Sequence, residues 1–199
     1  MRAVFWGIVV FAAVLAYAVV RYVVFKGVSS EHVPVYILNK AVAVMSLYFL
    51  GVSIASADKA LRRRSGMLGF AAAGLHVLLT QPILTPAYLP KLFIQPDGSA
   101  GFGVSAEAAL LCGALGFLGL FILAWPKSPE SPGAKHGTVV LLSRAAVAAA
   151  AAHCLFLGGS GWFNPATWPG FLPPITLLAF VYACAALALS FRRTRGGAA

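Results

Sequence analysis

Six apolar runs of about 20 residues divide this chain, and a run of that length crosses the ~30 Å hydrocarbon core of a bilayer as a helix. They fall at about 4–25, 34–56, 67–88, 104–125, 140–159 and 172–191. The segments between them, SADKALRRRSG, PKSPESPGAKHG and GGSGWFNPATWPG among them, place Pro and Gly where the backbone must turn. A content of 60% hydrophobic and 10% charged residues leaves too little polar surface for a soluble globule. The connections are short and no repeat is visible. The expected fold is therefore all-α: one polytopic transmembrane domain over 1–199, a six-helix bundle. Ala16-Tyr17-Ala18 has the look of a signal cleavage site, but the apolar run continues through Val19 and Val20 and past Arg21 to Phe25, so this segment reads as a span.

The net charge of +10 is best explained as loop charge that orients the spans. Arg2, Lys59, Arg62, Arg63, Arg64, Lys127, Lys135, Arg192, Arg193 and Arg195 fall on one side of the bilayer, against Arg21, Lys26, Lys40 and Lys91 on the other. That asymmetry puts both termini in the cytoplasm of a multi-pass protein of the cell (inner) membrane. The partner of the bulk of the chain is the lipid bilayer. Nucleic acid is not expected, because the aromatic residues lie within or beside the apolar runs. The uncharged GSGWFNPATWPGFLPP segment, with Trp162 and Trp168, is expected at the outer interface.

Two histidines lie inside these spans, His76 in GMLGFAAAGLHVLL and His153 in LLSRAAVAAAAAHCLF. An imidazole in hydrocarbon needs a partner or a metal. The third and fifth spans run in the same direction, and His76 lies 12 residues beyond Arg64 while His153 lies 9 beyond Arg144. At 1.5 Å per residue these are depths of roughly 18 and 14 Å, so the two rings share a level. Three, four and seven positions back on the same helix face, His76 stands over Ala73, Ala72 and Gly69, and His153 over Ala150, Ala149 and Ala146. A flat porphyrin edge needs such a small-residue trough, and two neutral imidazoles are usual axial ligands of a b-type heme in a helical bundle. The competing reading is that small residues only let helices pack closely and each histidine bonds to a neighbour.

Other polar residues are weaker candidates. Arg144 is placed to pair with a heme propionate, or else snorkels to headgroup phosphates. Thr80 and Gln81 stand just outward of His76, with Gln81-Pro82 also marking a helix break. Asn39 and Lys40 open the second span, where Lys40 is expected to snorkel. Glu107 is either part of a proton path or a solvated charge at a helix start. His136 is expected in a solvated loop, and His32 at the outer boundary beside Glu31. Cys112, Cys154 and Cys184 have neither CxxC nor paired spacing, so they support neither zinc nor a disulfide and read as small core residues.

The order of RRRSGMLGFAAAGLH, GFGVSAEAALLCGALGFLGLFILAWPKSP and VLLSRAAVAAAAAHCLFL resembles the ferric reductase-like transmembrane domain superfamily, and within it the heme-binding membrane subunit of the methionine sulfoxide reductase system. The likeness covers roughly 34–160. Two-heme members carry a further histidine about 13 residues before the last one on the fifth helix, where this chain has Val140. The resemblance thus implies one heme b, with His76 and His153 as the axial ligands of its iron.

No GxGxxG element on a strand–helix unit is present to bind NAD(P)H or flavin. The expected function is transmembrane electron transfer by heme b, from a cytoplasmic or quinol donor to an acceptor at the outer face. The chain would then be an oxidoreductase membrane subunit whose quinone or flavin comes from a redox partner protein or the quinone pool. The alternative is a heme-free transporter subunit or assembly factor with structural histidines.

Overall fold

A computed structural model describes residues 2–29, 31, 33–94, 98–125 and 136–196. Those residues form six helices long and apolar enough to cross a membrane, with no strand among them. They are α1 (Arg2–Ala18), α2 (Leu38–Ala55), α3 (Lys59–Thr80), α4 (Val104–Ala124), α5 (His136–Gly158) and α6 (Ile175–Gly196). Large apolar side chains such as Phe5, Ile8, Leu78, Leu111, Leu141 and Val181 point outward. That arrangement suits lipid, which solvates them where water would not.

Helix α2 is the pillar of the bundle. In α2, 56% of the apolar window is buried, against 11–22% in the other five. It packs against α1, α3, α5 and α6, while α4 lies on α5. Alanines of α5 and α6, including Ala146, Ala151, Ala179 and Ala183, meet Leu47, Leu50 and Ile54 of α2 in one buried cluster. Small side chains let helix backbones approach, which is how helices associate where lipid is as apolar as leucine.

The α2–α3 pair is closed by hydrogen bonds. Ser46 Oγ donates to the Gly69 carbonyl at 2.9 Å, and Ser53 Oγ to the Arg62 carbonyl at 2.9 Å. A Cβ on Gly69 would lie 2.8 Å from Leu50 Cγ and 3.1 Å from the Leu50 backbone nitrogen. Glycine is required there for the approach itself.

Helix α3 begins earlier than its apolar run, at Lys59 instead of 67, because the Asp58 carboxylate accepts from the amides of Ala60 at 2.8 Å and Leu61 at 3.3 Å and caps it. The segment carrying Arg62, Arg63 and Arg64 is thus helix, not loop. The helix ends at Thr80, short of the expected 88, and passes into a 3₁₀ turn Gln81–Ile83 around Pro82, which lacks the amide hydrogen to continue. Likewise α5 begins at His136, which opens a helix where sequence suggested a loop.

At the end of the bundle where odd-numbered helices finish and even-numbered ones begin, here termed the distal end, the first span widens into a π-helical stretch, Val19–Phe25. It brings two side chains onto the segment before α6: Tyr17 Oη donates to the Pro173 carbonyl at 2.6 Å, and the buried Arg21 guanidinium donates to the Leu172 carbonyl. Gly170 has φ +59 and its Cβ position lies 2.6 Å from the Phe25 ring, so both its backbone and its surroundings demand glycine. Trp162 is buried, its Nε1 donating to Thr176 Oγ1 at 3.1 Å, so this tryptophan seals the loop onto α6 while Phe163 and Phe171 are the aromatics that face outward.

If Gly69 sets the α2–α3 distance, Gly69→Val overpacks that seam and costs about 1–3 kcal/mol. The detergent-solubilised variant is expected to unfold at lower temperature than the wild type, and an unchanged midpoint would contradict the close approach.

Candidate functional site

His76 and His153 line one cavity of about 580 Å³. That is within the ~300–1,000 Å³ range of small-molecule sites. The two histidine-bearing helices do not pack extensively on each other; α2 and α4 bridge them. His76 lies four residues before the end of α3 and His153 five before the end of α5. These spacings are roughly 6 and 8 Å at 1.5 Å per residue, so the rings stand at one level near the distal end.

Each ring is held by a different device. Thr80 Oγ1 donates to the His76 carbonyl at 2.8 Å and is left to accept from Asn39 Nδ2 at 3.1 Å. The Asn39 amide is thereby oriented with Oδ1 toward His76 Nδ1, 2.6 Å away. Nδ1 must carry the hydrogen, and in the neutral ring Nε2 keeps the lone pair. Asn39 itself is buried, on the second residue of α2.

His153 reaches a backbone carbonyl. Its Nδ1 lies 2.7 Å from the Ala109 carbonyl oxygen on α4, which can only accept. That carbonyl points along the helix toward residue 113, one turn on, where the chain has Gly113. A Cβ on Gly113 would lie 3.1 Å from His153 Nδ1. The missing side chain opens the groove through which the ring reaches the carbonyl. Again Nδ1 holds the hydrogen and Nε2 the lone pair.

Neither Nε2 has a hydrogen-bond partner among the described residues. Two imidazoles therefore line one largely apolar chamber with their basic nitrogens uncommitted. A metal-bound histidine ordinarily gives its other N–H to a carbonyl or carboxylate, the arrangement seen here twice. Among the described residues no three His, Cys, Asp or Glu side chains gather, so a tetrahedral zinc set is not assembled. Two imidazoles with uncommitted Nε2 in one largely apolar cavity are residues that would hold a heme iron, the porphyrin supplying its remaining ligands.

The small-residue trough divides between packing and clearance. Ala73, Ala146 and Ala150 line the cavity. Gly69 packs on Leu50 of α2, and Ala149 lies against Gly116 of α4, 3.3 Å from its Cβ position, so these serve helix contact. Gly113 and Gly116 supply clearance from the α4 side. Phe117, stacked on Phe70 at 5.7 Å, completes that wall.

Arg144 stands apart from the cavity lining. Its Nε donates to Ser190 Oγ at 2.9 Å and Nη2 to the Ser190 carbonyl at 2.6 Å, with the guanidinium 4.3 Å from the Phe191 ring. It clamps α5 to α6. Glu107 is exposed in the first turn of α4 and does not line the cavity. Thr80 and Gln81 do line it, Thr80 as the relay to Asn39. Cys112 and Cys154 are free thiols in its wall, and Cys184 faces outward. His32 lies outside the described residues.

Asn39 as the partner of His76 carried a signal in the sequence, because a carboxamide in an apolar span needs a partner as much as an imidazole does. The Ala109 carbonyl carried none in its own side chain; only Gly113 hinted at access. No protein-family model matches the chain, and no curated protein is found similar to it.

If the two acceptors set the tautomers, 15N NMR of histidine-labelled protein shows Nε2 as the unprotonated nitrogen in both rings. Asn39→Leu is expected to scramble His76 alone, and Gly113→Val His153 alone, each at about 1–3 kcal/mol for an unpaired buried group. Unchanged 15N spectra in both variants would remove these residues from the site.

Proposed function

We propose that this chain is a transmembrane heme b electron-transfer protein of the ferric reductase-like kind, with one heme held between His76 and His153. The observation that carries the reading is the pair of imidazoles lining one cavity, each with Nδ1–H committed to a fixed acceptor and Nε2 left basic. When bound, heme b supplies a one-electron iron couple. The chain's own residues do the rest. Asn39 and the Ala109 carbonyl set ring orientation and raise ligand basicity. Ala73, Ala150, Gly113 and Gly116 leave room for a flat ring, while Leu47, Leu50, Phe117 and Leu120 exclude water from it.

Val140, in place of a second histidine on α5, supports a single heme and not a two-heme wire. Electrons then come from a cytoplasmic partner reductase, a quinol or a mobile flavin, and leave to an acceptor at the outer face. The basic-residue asymmetry supports cytoplasmic termini in the cell (inner) membrane. The motif order from residue 34 to 160 supports the same superfamily.

A heme-free transporter subunit or assembly factor with structural histidines accounts for the two Nδ1 hydrogen bonds, but gives no role to the two unpartnered Nε2 atoms of residues that line one cavity. Purified protein from cells with ample heme supply is expected to be red, with a Soret band that sharpens on dithionite reduction. His76→Ala and His153→Ala should each lose the stoichiometric pigment. A colourless wild type, or unchanged heme content in both variants, would sink the proposal and leave the structural reading.

A further inference from the structure

The cavity is amphiphilic along its length. Its lining on α4 runs from Ala109 to Phe121. That is roughly 18 Å of helix. Toward Phe121 the walls are mostly apolar, with Leu47, Leu50, Phe117 and Leu120, and the one hydroxyl among them, Ser46, is committed to the Gly69 carbonyl. Polar side chains gather at the distal end, where Asn39, Lys40, Thr80, Gln81 and Thr176 line it.

Lys40 is the one Lys, Arg, Asp or Glu in that lining among the described residues. Its Nζ reaches back one turn toward the distal end, 4.3 Å from the Tyr36 ring centroid and 4.9 Å from that of Tyr22, the direction expected of a snorkelling lysine. The two rings themselves meet edge to face at 5.8 Å. Aromatic faces attract a cation without neutralising it. Among the described residues no carboxylate meets Lys40: Glu31, Asp58 and Glu107 all lie outside the lining. A cation held in the wall of a mostly apolar membrane cavity calls for an anion from the ligand. Arg144, the other candidate, is committed to Ser190 and Phe191.

We infer that Lys40 anchors the anionic edge of the molecule this cavity takes, an apolar planar ligand with carboxylates at one edge, and so sets its direction with the carboxylates at the distal end. The assignment rests on the heme reading above, in which those carboxylates are the propionates. Lys40 immediately follows Asn39, so one turn of α2 positions both the His76 ring and the counter-ion. The ligand is then seated with its apolar edge toward Leu120 and Phe121.

The test compares hemin with hemin dimethyl ester, whose propionates are uncharged, titrated into detergent-purified full-length apoprotein and followed at the Soret band. Wild-type protein is expected to prefer hemin on the order of ten- to hundredfold, the scale of one charged hydrogen bond in a poorly solvated site. Lys40→Gln should lose that preference while binding the ester as the wild type does, which also shows that the variant is folded. Lys40→Arg should keep the preference, and Arg144→Gln should leave it intact. Equal wild-type affinity for hemin and ester, or a preference that survives Lys40→Gln, overturns the assignment and leaves the heme reading standing. A preference lost in Arg144→Gln and kept in Lys40→Gln moves the anchor to Arg144. Wild-type protein that binds neither compound overturns both.

Discussion

Hydrocarbon offers no hydrogen bonds, so each polar group carried into the bilayer has to be answered by another part of the same chain. In this bundle several of the answers come from other helices or from the segment before α6. Ser46 and Ser53 of α2 are answered by carbonyls of α3, Arg144 of α5 by Ser190 of α6, and Tyr17 and Arg21 by the segment leading into α6. Each such bond also fixes the rotation of one helix against another. Among the described residues three buried side-chain atoms lack a partner: Arg21 Nε, Ser65 Oγ and Arg193 Nη1. The same requirement, applied to the two histidines, is met only on the Nδ1 side.

That half-met requirement gives the cavity its chemical character. The loop from Thr80 through Asn39 to His76 is directional, because the one hydrogen of the Thr80 hydroxyl goes to the His76 carbonyl and leaves its oxygen to accept from the Asn39 amide nitrogen. On the opposite wall the Ala109 carbonyl imposes the same tautomer with no side chain at all. Glycine makes that access possible: Gly113 uncovers the carbonyl, while Gly116 lets α4 and α5 approach at Ala149. Small residues thus do two things in one helix, and Gly116, which also lines the cavity, does both.

Much of this was legible before any coordinates. The six spans were read from apolar length alone, and His76 and His153 stood out because an imidazole is costly in such a run. Their common level followed from counting residues along parallel helices, and their meeting in one cavity agrees with it. The limits of α3 were misjudged because apolar content marks where a helix is in lipid, not where it is capped; Asp58 extends it into the basic segment and Pro82 shortens it. That Lys40 reaches Tyr22, from the preceding span, is something nothing local in the sequence reveals.

The sequence by itself determined the number of crossings, the intramembrane histidines and the excess of basic residues, since transfer into lipid is governed by each segment's own composition. Tertiary structure alone decided which nitrogen of each ring stays basic, which alanines and glycines face the cavity, and that Lys40 and not Arg144 lines it. Those depend on carbonyls, amides and rings contributed by a different helix, so no window along the chain contains them.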